Sequence, residues 1–493
     1  MRGTTMMRTT MLIALLAACG SVSGGKKPDG GGSNKDSQSS DGGQDDDGAK
    51  SGTRLKLQWI TYDDGTRQLA GIMDTMLGKQ CYPSTINGSM YCVAGNTASS
   101  DGYYSDSGCT QAVVPWYYCN AQPPDYVYQY DTSNPCQSTV AGIYQRGSEV
   151  SIPSGLAYYK SGTTCEQVNF GTNYTFYSLG ASVPITTFAA ISKAEPTGSG
   201  LGVVSYTSSD GMVYPFELHD SASNLDCYPE STGVGATTGV CEPEVSSSYA
   251  GYYSNSTCTT AVAETNSMCP EPGYAYTPGT CPGQLPNYFQ IGSSEALSTY
   301  YYLNGTTCTS ATTGTGESWY MLGAAVPTDN LTRAPDMVSG KRMQLIHYTS
   351  GSTRYRDYPL YDTTEQLECD SYGNGTSSYA CLPIANYAYV ESNYYYSDSA
   401  CANAIDVVEL YRESTSCAAP TLPKYVIKEP ILPNGCSSTN YEVHTVGSPI
   451  STLYYKSGTT CTAYPLSSAY QYYTLGAEVP TSNFATATLM TDP

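Results

Sequence analysis

The string Leu179-Gly180-Ala181-Ser182-Val183-Pro184 occurs three times in this chain, and that repetition limits its architecture more than any other feature. It returns as Leu322-Gly323-Ala324-Ala325-Val326-Pro327 and as Leu475-Gly476-Ala477-Glu478-Val479-Pro480. A cysteine stands 14 residues before each leucine: Cys165, Cys308 and Cys461. A second marker, Asp-Thr/Ser, precedes another cysteine by seven residues. It reads Asp74-Thr75 before Cys81, Asp220-Ser221 before Cys227 and Asp362-Thr363 before Cys369. Self-similarity at a period of roughly 145 residues means one structural unit built three times. The copies run over residues 54–199, 200–341 and 342–493.

The cysteines divide in the same way. Of 19, Cys19 stands alone near the start and the other 18 fall six to a copy. The first six are Cys81, Cys92, Cys109, Cys119, Cys136 and Cys165. The second are Cys227, Cys241, Cys258, Cys269, Cys281 and Cys308; the third are Cys369, Cys381, Cys401, Cys417, Cys436 and Cys461. An even number per copy implies three disulfides inside each repeat, nine in all. Zinc is disfavoured, because the chain has no Cys-x-x-Cys and only 3 His.

One pairing follows from turn chemistry. Cys81 and Cys92 flank Asn87-Gly88, and Cys369 and Cys381 flank Asn374-Gly375. Asn-Gly suits a two-residue hairpin turn, where both positions need positive φ. Cys227 and Cys241 bracket Gly233-Val234-Gly235 in the same place. Each pair should stand directly opposite on neighbouring strands and contribute roughly 3 kcal/mol by closing a short loop.

The chain holds 48 Tyr against 6 Phe and 3 Trp, and a Tyr-Tyr pair marks two turns in every copy. The first set is Tyr103-Tyr104, Tyr252-Tyr253 and Tyr395-Tyr396; the second is Tyr158-Tyr159, Tyr301-Tyr302 and Tyr454-Tyr455. Turn residues between β-formers make each a hairpin, with one ring on each face of its strand. No sustained 3.6-residue apolar period is present. The expected fold is all-β: three tandem disulfide-rich repeats of antiparallel hairpins. Six similar units fit a six-bladed β-propeller, two blades per repeat. Three separate β-sandwich-like domains are the alternative.

The N-terminus reads differently. Arg2 and Arg8 precede an apolar run, Met11 to Ala18, that ends in Leu16-Ala17-Ala18-Cys19. This is a signal-peptide pattern, too short to span a bilayer. Leu-Ala-Ala-Cys resembles the bacterial lipobox. That resemblance implies cleavage after residue 18 and acylation of Cys19 with palmitate-type chains, a stable anchor. Gly20, where Asp would favour the inner membrane, points to the outer membrane. Residues 20–53 are rich in Gly, Ser, Asp and Lys, too polar to bury a core, and are expected to form a flexible tether spanning about 30–35 Å. The three-copy region also resembles uncharacterised bacterial cell-surface lipoproteins with tandem Cys/Tyr-rich repeats. The matching elements are Asp-Thr before Cys81, Tyr103-Tyr104-Ser105-Asp106-Ser107, Tyr158 to Thr164, and Leu-Gly-Ala-x-Val-Pro. The resemblance implies a surface location and no catalytic residue.

Chemistry is sparse. Net charge is −21, which disfavours nucleic acid as a partner. His219, His347 and His444 do not recur: Met73 and Tyr361 take the place of His219, and Tyr144 and Phe289 that of His444. No nucleophile elbow, phosphate loop or metalloprotease motif is present. Asp74, Asp220 and Asp362 recur, and Asp-Thr/Ser reads as a turn cap rather than a general acid. Six Asn-x-Ser/Thr sites, Asn87 the first, read as turn composition. No cofactor, metal or catalytic residue is assigned. The expected function is non-enzymatic: a membrane-anchored surface protein with a structural or ligand-binding role. The expected ligand is a glycan or an envelope protein, met by the twelve paired tyrosines. A hydrolase using acidic residues in one repeat is the alternative.

Overall fold

The computed structural model describes residues 48–493 apart from 101, 118, 120, 121, 132–138, 199, 222, 232, 244–246, 267–272, 278–280, 282, 283, 305, 306, 315, 327–329, 374–376, 386, 413–416 and 430–439. Each repeat begins with four strands joined by short turns. In the first they are β1 (Leu55–Tyr62), β2 (Arg67–Asp74), β3 (Lys79–Ile86) and β4 (Ser89–Ala94). After a long excursion the chain returns as β5 (Ala189–Ala194). The second repeat supplies β6 (Leu201–Ser208), β7 (Val213–Asp220), β8 (Leu225–Ser231), β9 (Thr238–Pro243) and β10 (Asn330–Pro335). The third supplies β11 (Met343–Ser350), β12 (Thr353–Asp362), β13 (Leu367–Gly373), β14 (Ser378–Pro383) and β15 (Thr486–Thr491). Neighbours pair antiparallel and β15 pairs with β1, so the strands close one barrel in chain order.

The protein is all-β, as its sequence indicates, but its pairing is neither a propeller nor three separate domains. A propeller keeps every blade a sheet of its own. Here β5 pairs with β4 on one side and with β6 on the other. The fifth strand of each repeat therefore welds that repeat to the next. Closure also removes the free sheet edges that separate domains would expose.

The first hairpin of each repeat straddles two cores. The base of β1–β2, with Leu55, Leu57 and Ile72, packs in the first repeat's cluster beside Cys81 and Cys92. Its tip, with Ile60, Tyr62 and Ala70, packs against Met343, Leu345, Cys369 and Cys381 of the third repeat. Likewise Met212, between β6 and β7, is buried in the first repeat. Tyr348 of β11 and Tyr355 of β12 pack with Leu218 and Leu331 of the second. A register shift marks every crossing: at Gln58/Trp59, Val204/Ser205 and Leu345/His347. A bulge bends its strand, which lets one hairpin serve two cores.

The excursion between the fourth and fifth strands builds a second sheet in every copy. In the second repeat eight strands form it; in the third, seven. In the first it is split into five- and three-stranded pieces, bridged by Tyr104 and Ala112. These sheets, here termed heads, rest on the barrel through mixed clusters. Ile86 and Val93 of the barrel meet Tyr128, Val140 and Ile143; Ala380 and Leu382 meet Val443 and Phe484.

Lys50 and Ser51, within the segment expected to form a tether, contact the barrel. Lys50 bridges Val213, and the Ser51 hydroxyl donates to Asp492 at 2.7 Å. Cys19 lies outside the described residues.

Candidate functional site

The three recurrent aspartates act as turn caps. Asp74 Oδ1 accepts from the backbone N–H of Met76 (3.0 Å) and Leu77 (3.3 Å), and Asp362 Oδ1 from Thr364 (2.9 Å) and Glu365 (3.2 Å). Asp220 Oδ2 accepts from Ser223 N–H at 3.2 Å. The adjoining hydroxyls of Thr75, Ser221 and Thr363 donate to the carbonyls of Arg54, Gly200 and Arg342. Sequence reasoning missed the cations. Arg54 grips the buried Asp74 with two bonds of 2.9 and 2.6 Å, and Arg342 holds Asp362 in the same manner. Gly200 stands where an arginine would in the second copy. The signal was present: each arginine precedes its aspartate by 20 residues. A buried acid with a bidentate guanidinium partner and backbone donors is a structural clamp.

The histidines stay apart from one another. His219 Nδ1 meets Asp226 at 2.9 Å, His347 Nδ1 meets Asp336 at 3.0 Å, and His444 Nε2 meets Glu442 at 3.3 Å. Among the described residues no group of three or more His, Cys, Asp or Glu side chains could hold a metal.

The heads gather the twelve tyrosines. Tyr-Tyr pairs from the two halves of a repeat, which the sequence presents as separate hairpins, are adjacent strands of one sheet. Tyr103 faces Tyr159 and Tyr104 faces Tyr158. Tyr252 faces Tyr302 and Tyr253 faces Tyr301; Tyr395 faces Tyr455 and Tyr396 faces Tyr454. The alternation of a strand then sorts the rings. Tyr103 packs with Val113, Ala157 and Phe176 inside the first head. Tyr252 meets Trp319 edge-on, their centroids 5.4 Å apart. Tyr395 is buried and donates to Glu409 at 2.6 Å, while burial raises the Glu409 carboxyl. The opposite face carries Tyr104 with Tyr158, Tyr253 with Tyr301, and Tyr396 with Tyr454, every ring half-buried. Tyr103, Tyr252 and Tyr395 thus pack against other rings and apolar side chains of their heads, although Tyr159, the partner of Tyr103, is exposed, and the six tyrosines of the opposite face form three two-ring platforms.

A strained loop and a disulfide hold each platform. Asp106 accepts from the N–H groups of Gly108, Thr110 and Gln111; Asp398 accepts from Ala400, Ala402 and Asn403. These donors, Gln111 foremost for Asp106 and Ala402 for Asp398, hold both carboxyls below the usual range. Asn255 performs the same role without charge, accepting from Thr259 at 2.9 Å. Within the loops Cys109, Cys258 and Cys401 have φ of 51°, 50° and 51°. Non-glycine residues adopt that region only when their surroundings enforce it. Each is bonded to the second hairpin: Cys109 to Cys165, Cys258 to Cys308, and Cys401 to Cys461.

The short-loop disulfides Cys81–Cys92, Cys227–Cys241 and Cys369–Cys381 are present as expected, with one difference in register. The partners are diagonal, not directly opposite: Cys81 faces Ala94 while Cys92 faces Pro83. Two residues of offset still leave a Cα–Cα distance of 5.2 Å, within the usual span of a disulfide. The expectation that every bridge stays within its repeat fails. Cys281 of the second copy bonds Cys417 of the third. Cys119 is also disulfide-bonded. Cys136, Cys269 and Cys436 lie outside the described residues.

Residues 37–484 match a family of unknown function (DUF7481). The chain belongs to this family. The match spans all three heads and most of the barrel and leaves Cys19 outside it. No curated protein and no solved structure matches the chain. The disulfides of this DUF7481 protein point to an oxidising, extracytoplasmic compartment. Among the described residues no helix is long and apolar enough to cross a membrane.

Proposed function

We propose that this protein is a non-enzymatic surface lipoprotein, anchored through Cys19 to the outer membrane, that binds glycan through its three tyrosine platforms. The supporting observation is the threefold repetition of one surface: two half-buried cross-strand tyrosines locked by a capped loop and a disulfide. Aromatic rings with polar tips suit the apolar faces and hydroxyls of sugars. Rigid platforms lose little entropy on binding. Three copies on one closed barrel suit a repetitive ligand, because linked sites raise avidity without new contacts. The lipobox-like Leu16-Ala17-Ala18-Cys19 and the polar segment that follows it support a location at the cell surface for such a module.

The test is a glycan array probed with the residue 20–493 protein. Binding should appear for a subset of polysaccharides, fall several-fold in the single variants Tyr104→Ala, Tyr253→Ala and Tyr396→Ala, and fall about 100-fold or more in the triple variant. An array with no signal, or a triple variant that binds as the parent does, would remove this reading.

A further inference from the structure

A different surface carries a second proposal, independent of the tyrosine platforms. Between the second and third repeats lies an open pocket of about 490 Å³, lined among others by Glu230, Arg333, Tyr348, Asp357, Glu368 and Tyr389. Its floor is an ion-paired network. Arg333 donates two bonds to Glu368, at 2.6 and 2.8 Å, and one to Asp357 at 2.6 Å. One guanidinium therefore faces two carboxylates and is consumed by them. Glu230 stands on the wall with no hydrogen bond or ion pair among the described residues, although solvent reaches it. Desolvation in the groove, with Glu242 and Asp357 nearby, pushes its carboxyl up to about 7. Glu242 is its diagonal neighbour on the same face of β8–β9 and adds further negative potential. At the rim Tyr389 is 57 % exposed. An exposed ring beside uncompensated carboxylates is the arrangement that receives an ammonium group, by charge and by cation–π contact. The arrangement exists in one copy only, because Ser84 and Tyr372 occupy the strand position of Glu230 in the other two.

We propose that this pocket binds a primary ammonium group, with Glu230 as its counter-ion and Tyr389 as its aromatic wall. Two sources carry that group at an envelope: an amino sugar with a free amine, and a lysine side chain. The experiment is isothermal titration of the disulfide-intact protein with glucosamine and with N-acetyl-lysine methylamide, and with N-acetylglucosamine as the neutral control. At least one amine should bind, and whichever binds more tightly identifies the source. Glu230→Gln should weaken it at least tenfold and Tyr389→Ala several-fold, while N-acetylglucosamine stays silent. Glu230 makes no hydrogen bond or ion pair among the described residues and its raised carboxyl disfavours the fold at neutral pH, so Glu230→Gln should keep the parent's circular dichroism and melt no lower than the parent. Binding of neither amine, equal binding of N-acetylglucosamine, or an unchanged affinity in Glu230→Gln would overturn the proposal. The variant Tyr104→Ala should leave amine binding intact, which separates this site from the glycan platforms.

Discussion

Replacing Arg333 with methionine should be among the most damaging single changes in the barrel. Arg333, on β10 of the second repeat, is 3 % exposed, and its partners Glu368 and Asp357, on the third, are 7 % and 14 % exposed. Methionine retains much of the volume and removes the charge. Two carboxylates then remain in a desolvated wall with no cation. Breaking a buried pair in this way costs about 3–5 kcal/mol, because the orphaned charge keeps its desolvation penalty. The pH dependence has a definite sign. Burial already raises the Asp357 carboxyl, against the pull of Arg333. Without Arg333 the upward push of burial on Asp357 is unopposed. A carboxyl whose folded pKa lies above its unfolded value binds protons more readily when folded, so stability grows as pH falls. For Asp357, each pH unit below its raised pKa, and above the ordinary carboxylate range near 4, returns up to about 1.4 kcal/mol. The assay is urea unfolding at pH 7 and pH 5, followed by tryptophan fluorescence. Arg333→Met should lose about 3–5 kcal/mol at pH 7 and less at pH 5. Lys424→Met provides the control: that lysine is 58 % exposed and pairs with Glu365 at 2.9 Å, so its loss should cost under about 1 kcal/mol at either pH. An Arg333→Met loss as small as that of Lys424→Met, with no pH slope, would mean that Arg333 is solvated and the buried-network argument is wrong.

Two further outcomes are expected. Peptide mapping without reduction should join the peptide of Cys281 to that of Cys417, 136 residues apart, and reduction should release both; Cys281 joined instead to a cysteine of its own repeat would restore the six-per-repeat ledger. Cys19→Ser should release the protein from membranes into the soluble fraction and leave the Cys81–Cys92 bridge intact, whereas retention on membranes would refute the anchor.

What was legible in the sequence was local. Asn87-Gly88 adopts φ of 51° and 75°, as its hairpin requires, and the cysteines on either side meet. Asp74, Asp220 and Asp362 cap their turns with bonds spanning two or three residues. What was not legible was pairing at long range. The strands that close the barrel, Ala189–Ala194, Asn330–Pro335 and Thr486–Thr491, share no motif, and β5 meets its partner β4 from about 100 residues away. A strand buried between neighbours needs only β-formers of suitable size, so nothing in its spelling names its partner. The tyrosine pairs failed for the same reason. Each looked like a hairpin of its own, and only the fold shows that two of them make one platform.

The three copies also differ in an informative way. Where the chain bends at the bulges, an aromatic ring nitrogen meets an aspartate in two copies: Trp59 Nε1 and Asp492 at 3.1 Å, and His347 Nδ1 and Asp336 at 3.0 Å. Ser205 and Pro196 hold the corresponding places at the junction of the first and second repeats. On the fifth strands, Lys193 reaches Glu217 and Asp226, Arg333 reaches Asp357 and Glu368, and the matching residue of the last copy is Leu489, with no charge to pair. A junction between repeats needs only to be filled, with any buried charge partnered, and polar and apolar solutions both achieve that. The heads show no such freedom: the Tyr-Tyr pairs, the capped loop, the left-handed cysteine and its disulfide stand in all three copies. Stability alone would tolerate in the heads the variety it tolerates at the junctions. The uniformity of the platforms therefore supports the proposed glycan binding there, and Glu230, without a hydrogen bond or ion pair among the described residues and present in one copy only, supports the separate ammonium site proposed above.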